Sequence, residues 1–186
     1  QTFNLYGFTP DVTKRVGYFD DDNGIFLQLD PTTASICRRS QSTTGSLTVP
    51  QSAWNVDRLD GTGASGLTLQ WGTTQILVID FEWLGVGSVR VGFVINGEIV
   101  YAHQFNNANV NGYVYMSTPN LPVRYELEAT GPAPFYATMA CICSSVSSEG
   151  GIQGTGTKYS FSTPAAVGPV SNGGSATLFN VQHDPL

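Results

Sequence analysis

Residues 80–128 read DFEWLGVGSVRVGFVINGEIVYAHQFNNANVNGYVYMSTPNLPVRYELE. The middle of this stretch spells a β-hairpin. Val89, Val91, Phe93 and Ile95 alternate with Arg90, Gly92 and Val94. Asn96-Gly97 follows, the pair that best tolerates positive φ at both central positions of a type I′ turn. The return strand alternates again and predicts Ile99, Tyr101, His103 and Phe105 on one face. Period-2 patterning on both sides of an Asn-Gly is the strongest short-range hairpin signal a sequence carries. It sets the class as antiparallel β with one dry face.

Working outward, the chain keeps this character. Arg15–Phe19 and Ile25–Leu29 read as strands around the acidic turn Asp20-Asp21-Asp22-Asn23-Gly24. Ala34–Arg39 and Ser46–Val49 read as further strands, and residues 51–59 hold the one stretch suited to a helical turn, capped by Ser52 and plugged by Trp54. Leu67–Leu69, Gln75–Leu84, Tyr113–Met116, Val123–Glu128 and a long Phe135–Val146 complete the strand set. The run ILVIDFEWL is apolar almost throughout, which predicts a central strand buried on both faces. Many short strands with almost no helix predict an all-β antiparallel sandwich, jelly-roll-like, over residues 1–150. After Glu149 the periodicity fades into GGIQGTGT, TPAAVGP and SNGG, so residues 151–186 read as an extended Gly/Ser/Pro-rich arm that gains order on a neighbouring subunit.

Composition narrows the function classes. The chain has 186 residues, 41% hydrophobic, but only 12% charged, with a formal net charge of -6. Charge is about half the usual share. Lys14 and Lys158 are the lysines, and no basic run occurs, so nucleic-acid binding has no electrostatic footprint here. No run approaches the roughly 20 apolar residues of a membrane span. The start at Gln1 without methionine is expected of a removed leader or of numbering that begins inside a longer product. Cys37, Cys141 and Cys143 are too few and oddly numbered for a disulfide framework. They read as three small buried hydrophobes, with a single bridge from Cys37 to the 141–143 strand as the alternative.

Several constellations bear on chemistry. Asp80 and Glu82 sit two apart on one predicted strand, the raw material of glycoside hydrolysis, but no third carboxylate stands in register. A buried pair satisfied by Arg90 or Arg124 is the plainer reading. Glu126, Glu128 and Arg124 form a polar stripe opposite Val123, Tyr125 and Leu127. His103 is a lone strand histidine, expected to be a hydrogen-bonded core or interface residue. The DDDNG turn resembles the front of a calcium loop but lacks the later ligands, so a solvated turn is expected. The Gly-rich 60–66 loop is no phosphate loop. Trp54, Trp71 and Trp83 are core by default rather than a sugar-stacking platform. No catalytic, cofactor-binding or metal-ligating residue is assigned, and no cofactor is expected.

The phrases VIDFEWLGVGSVRVGFVINGEIVYAHQFNNAN and YMSTPNLPVRYELE, with RVGYFDDDNGIFLQLD, SAWNVDRLDGTGASGLTL and CICSSVSSEGG, carry a resemblance over about residues 15–151. The chain resembles a family of poorly characterised virion structural proteins of tailed bacteriophages, especially marine ones. The resemblance implies a particle component rather than an enzyme. The expectation is a homo-oligomer, a trimer, displayed on the extracellular virion as a decoration, spike or fibre-type module beside other virion proteins. The alternatives are a receptor- or glycan-binding module, with exposed aromatic and Asn side chains on loops such as 106–112, and a secreted glycoside hydrolase resting on Asp80 and Glu82.

Overall fold

The computed structural model describes residues 1–132 and 137–148. They make up a compact unit, Gln1–Val146, and the first residues beyond it. Phe135 and Tyr136, where the last strand was predicted to begin, and the proposed 151–186 arm lie outside the described residues.

The strands are β1 (Thr2–Asn4), β2 (Val12–Phe19), β3 (Gly24–Leu29), β4 (Ala34–Arg39), β5 (Leu47–Pro50), β6 (Gln75–Phe81), β7 (Val89–Ile95), β8 (Glu98–Phe105), β9 (Val123–Ala129) and β10 (Ala140–Cys143). They form two five-stranded sheets, ordered β5-β4-β3-β2-β9 and β10-β1-β6-β7-β8. All pairings are antiparallel. The two sheets share one core: Val16, Ile25, Leu27 and Ile36 from the first join Leu77, Val91, Phe93 and Ala102 from the second. Apolar side chains at alternate positions of every central strand account for this, because period-2 patterning sends them all to one face.

The hairpin forms where the sequence places it. Asn96 and Gly97 have φ of 55° and 85°, as the type I′ turn requires. The predicted single face of β8 does not survive, however. The register slips between Val91 and Gly92, with His103 opposite Val91 but Tyr101 opposite Gly92. Ala102 is the extra residue of a β-bulge. His103 and Phe105 therefore face the core side, whereas Ile99 and Tyr101 face outward beside Val94 and Arg90. The bulge has a further use. Ala102 O accepts the N–H groups of Val56 (3.1 Å) and Asp57 (3.0 Å). Asn55 exchanges side-chain hydrogen bonds with the Gln104 backbone, 2.9 Å from Nδ2 to O and 2.8 Å from N to Oδ1. Residues 55–57 thus cover the free edge of β8, which would otherwise offer its backbone to other chains.

Four other expectations need correction. β6 is central but not buried on both faces: Leu77 is buried, whereas Ile76 is 39% exposed. Its outer face carries no further layer among the described residues. Leu67–Leu69 makes only an isolated bridge, Asp60 to Thr68. Tyr113–Met116 is not a strand, yet Tyr115 and Met116 are fully buried. In both segments the apolar residues report burial by a loop rather than pairing. The helical turn is a short 3-10 turn, Gln51–Ala53, without a side-chain cap from Ser52. It delivers Trp54 into the core, where Nε1 donates to Val49 O at 3.1 Å.

Candidate functional site

Three segments converge at the end of the sandwich where β4, β7 and β8 meet their loops: 40–50, 83–89 and 106–123. None of them contains Asp, Glu, Lys or Arg. Their anchor is Asn107, 1% exposed. Its Oδ1 accepts from Arg38 Nη1 (2.9 Å) and Asn111 Nδ2 (2.9 Å), and its Nδ2 donates to Gly87 O (2.6 Å). Arg38 is itself 2% exposed and donates from Nη2 to Gly45 O at 3.1 Å. One buried amide and one buried guanidinium thereby tie the 40s, 80s and 106–112 loops together. Burial lowers the pKa of Arg38, yet a guanidinium stays protonated. No carboxylate forms an ion pair with it among the described residues, and its Nε finds no partner.

The segments are also joined at their backbones. Tyr115 N donates to Gly85 O at 2.8 Å. Thr44 Oγ1 donates to the carbonyls of Tyr113 (3.1 Å) and Val114 (3.0 Å), and Ser42 Oγ to that of Val114. Below them Tyr115 is buried, edge-on to Trp83 at 5.4 Å, and burial pushes its hydroxyl up to about 12. Above this braced base, apolar side chains stand in solvent: Leu84 (79% exposed), Val110 (71%), Tyr113 (61%) and Val114 (41%). Asn106 and Asn109 of the 106–112 loop are also exposed. Of the exposed aromatic and Asn side chains expected on loops such as 106–112, that loop supplies only the Asn side chains; it holds no aromatic residue, and the exposed ring, Tyr113, lies past its end. Sequence reading did not find Leu84 or the Arg38–Asn107 anchor. The absence of charge from all three segments was a signal available for the site.

The second surface is the outer face of the β5-β4-β3-β2-β9 sheet. Phe19, Phe26 and Cys37 form a small buried cluster there. The Arg39 guanidinium lies over both rings, 5.5 and 5.0 Å from their centroids, and Arg124 lies over Phe19 at 5.2 Å. Arg15 pairs with Glu126 and Glu128, and Arg124 pairs with Asp21 and Glu126. The paired Arg124 holds the Asp21 carboxyl below its ordinary range. A shallow depression of about 590 Å³ lies among Arg15, Asp21, Arg39, Glu126, Leu127 and Glu128. Its carboxylates are engaged by arginines, which suits a structural roof over apolar rings rather than acid–base chemistry.

The remaining candidates are dispersed. Asp80 pairs with Arg90 on the outer face of the second sheet and accepts from the Tyr101 hydroxyl at 3.1 Å. The pair is half-exposed, not buried, and Arg124 belongs to the other sheet. Glu82 lies one residue past the end of β6 and is exposed. His103 is buried, edge-on to Phe105 at 4.6 Å, and its Nδ1 accepts from Asn55 N at 3.3 Å. Burial lowers its pKa, favouring the neutral ring. Asp20 turns its carboxylate on its own loop, accepting from the N–H groups of Asp22 (2.9 Å) and Asn23 (2.6 Å). Among the described residues no group of three or more His, Cys, Asp or Glu is placed to hold a metal ion. Cys37 is buried and pushed up to about 11 by burial, but Cys141 and Cys143 are exposed free thiols on the edge strand β10. The expectation of buried thiols therefore holds only for Cys37. β10 borders its sheet, so its side chains lack a second neighbour strand.

No family model matches the chain, and neither a curated protein nor a solved structure matches it.

Proposed function

We propose that this chain is a bacteriophage virion structural protein, a β-sandwich module displayed on the extracellular particle as a decoration, spike or fibre-type element. It acts by self-assembly, as a homo-oligomer of trimeric or higher order beside other virion proteins, and not by catalysis. The observation that carries the reading is the outer face of the second sheet. Ile76 and Ile99 stand 39% and 48% exposed there, with half-buried Val94 opposite Ile99 and half-buried Val78 farther along β6, and the Asp80–Arg90 pair borders this patch on the same face. An apolar patch rimmed by an ion pair, on an otherwise polar, weakly charged module, is what a subunit contact requires, since interface centres are depleted in charged residues. The sequence resemblance to tailed-phage virion proteins points the same way. In this reading residues 151–186 serve as an arm that clasps a neighbour.

The finer jelly-roll-like arrangement is part of the proposal. Its support is the return of β9 beside β2 after the β2–β5 meander, a Greek-key-like step of the kind jelly rolls contain twice.

The test is the solution mass of the full chain by light scattering, beside that of a chain ending at residue 151 and of Ile99→Lys. An assembly of the full chain that falls apart in the other two supports the reading. A monomer in all three at high concentration refutes it.

A further inference from the structure

We propose that the charge-free end of the sandwich is a carbohydrate site that takes a neutral hexose. It deepens the reading of a displayed module, because it gives that module a ligand, but it stands on separate observations. Tyr113 offers an aromatic face that is 61% exposed. Leu84, Val110 and Val114 are further exposed apolar side chains of the same braced segments. Asn106 and Asn109 supply exposed amides that can both donate and accept. A hexose presents the complementary pattern: an apolar C–H face to lie on a ring, and hydroxyls around its edge for amides.

The electrostatics select the neutral sugar. The segments 40–50, 83–89 and 106–123 carry no charged residue. The acidic 20–24 loop is tied to this end by Asn23, whose Nδ2 donates to Ser117 Oγ at 2.8 Å and whose Oδ1 accepts from Ser117 N at 2.9 Å. Arg38 is sealed beneath the surface on Asn107, so its charge is not presented to a ligand. A sialylated or sulfated sugar would find no charged partner within these segments, and the arginines that border them are already engaged, Arg39 on Asp20 O, Arg90 on Asp80 and Arg124 on Asp21 and Glu126. Size argues in the same direction. A handful of side chains matches one or two sugar rings, whereas a standard protein interface takes roughly 20–30 residues a side. The base is rigid by construction, since the Asn107 and Thr44 hydrogen bonds hold the backbone under Tyr113 and Val114. Ordering on binding is therefore small.

The experiment applies the full chain to an array of galactose-, glucose- and mannose-terminated oligosaccharides and their sialylated and sulfated counterparts. A retained neutral sugar is then titrated into the isotope-labelled full chain by NMR. Binding to a neutral sugar is expected, with shifts centred on residues 106–114. Tyr113→Ala is expected to weaken it at least roughly tenfold, the scale of one ring contact, while Tyr113→Phe keeps it. Because Tyr113 is exposed, both variants fold, and an unchanged melting curve checks this. Silence across the neutral sugars, preference for the acidic forms, full binding by Tyr113→Ala, or a virion protein captured at this end instead of sugar would each overturn the proposal. The assembly reading is tested by mass alone, so the two fail separately.

Discussion

Replacing Asn107 by Ala removes the side chain on which the loop end is hung. Three hydrogen bonds go with it: from Arg38 Nη1, from Asn111 Nδ2 and to Gly87 O. The gross cost is governed by what is left behind. Arg38, 2% exposed, keeps only its bond to Gly45 O, and the Gly87 carbonyl loses its donor. Losing a hydrogen bond to a buried charged group costs about 1.5–3 kcal/mol, and a stranded neutral carbonyl about 1–3 kcal/mol. A destabilisation of about 4 kcal/mol follows, equivalent to a melting temperature lower by about 8–16 °C at this chain length. Arg38→Met is predicted to be mild, about 1 kcal/mol, because it removes the buried charge together with its desolvation. In the Arg38→Met background Asn107→Ala should then cost only about 2 kcal/mol, a coupling of about 2 kcal/mol. Equilibrium urea unfolding followed by the fluorescence of buried Trp54 measures all four corners of the cycle. A cost for Asn107→Ala below about 1 kcal/mol, or the same cost in both backgrounds, would refute the anchor.

Other perturbations give separate readings of the fold. Gly97→Ala meets no atom within 4 Å but sits at φ +85°, so it should cost about 1 kcal/mol of backbone strain alone in denaturant unfolding. Gly17→Ala differs, because its Cβ would lie 2.4 Å from Ile25 O in the paired strand; a loss of about 3 kcal/mol is expected by the same assay. His103 has a folded pKa below its unfolded value of about 6.5, so the unfolded chain binds the extra proton. Its contribution is present above about pH 6.5 and is lost as pH falls from there through the folded pKa; a His103→Leu chain should show a flatter stability–pH curve across that window. Cys141 and Cys143 are exposed and Cys37 is buried, so Ellman's reagent should titrate two thiols in the native chain and the third only after unfolding.

What the sequence shows well is what local chemistry dictates. β4 falls on the predicted residues, and the Asn96-Gly97 turn is written in two residues whose φ preferences leave little choice. The failures are non-local. Nothing in Tyr101-Ala102-His103 announces a bulge, because the extra residue is specified by the loop that caps it from forty-odd positions away. Tyr113–Met116 alternates like a strand, but Tyr115 is needed as a core plug against Trp83. β1 escaped notice because its three residues carry no period. At the loop end, the Asn-rich 106–112 segment was legible as a surface candidate. Its brace was not, since Arg38 lies in a strand whose pattern predicts only alternation, and its role depends on Asn107 arriving across the sandwich.

The central claim is that this chain is part of a virus particle. Quantitative mass spectrometry of density-purified particles, from a lysed culture that carries its gene, tests it most directly. The account predicts peptides of this chain in the particle fraction at a fixed ratio to the major shell protein, retained through repeated gradients. Peptides confined to the soluble fraction, with none in particles, would contradict it.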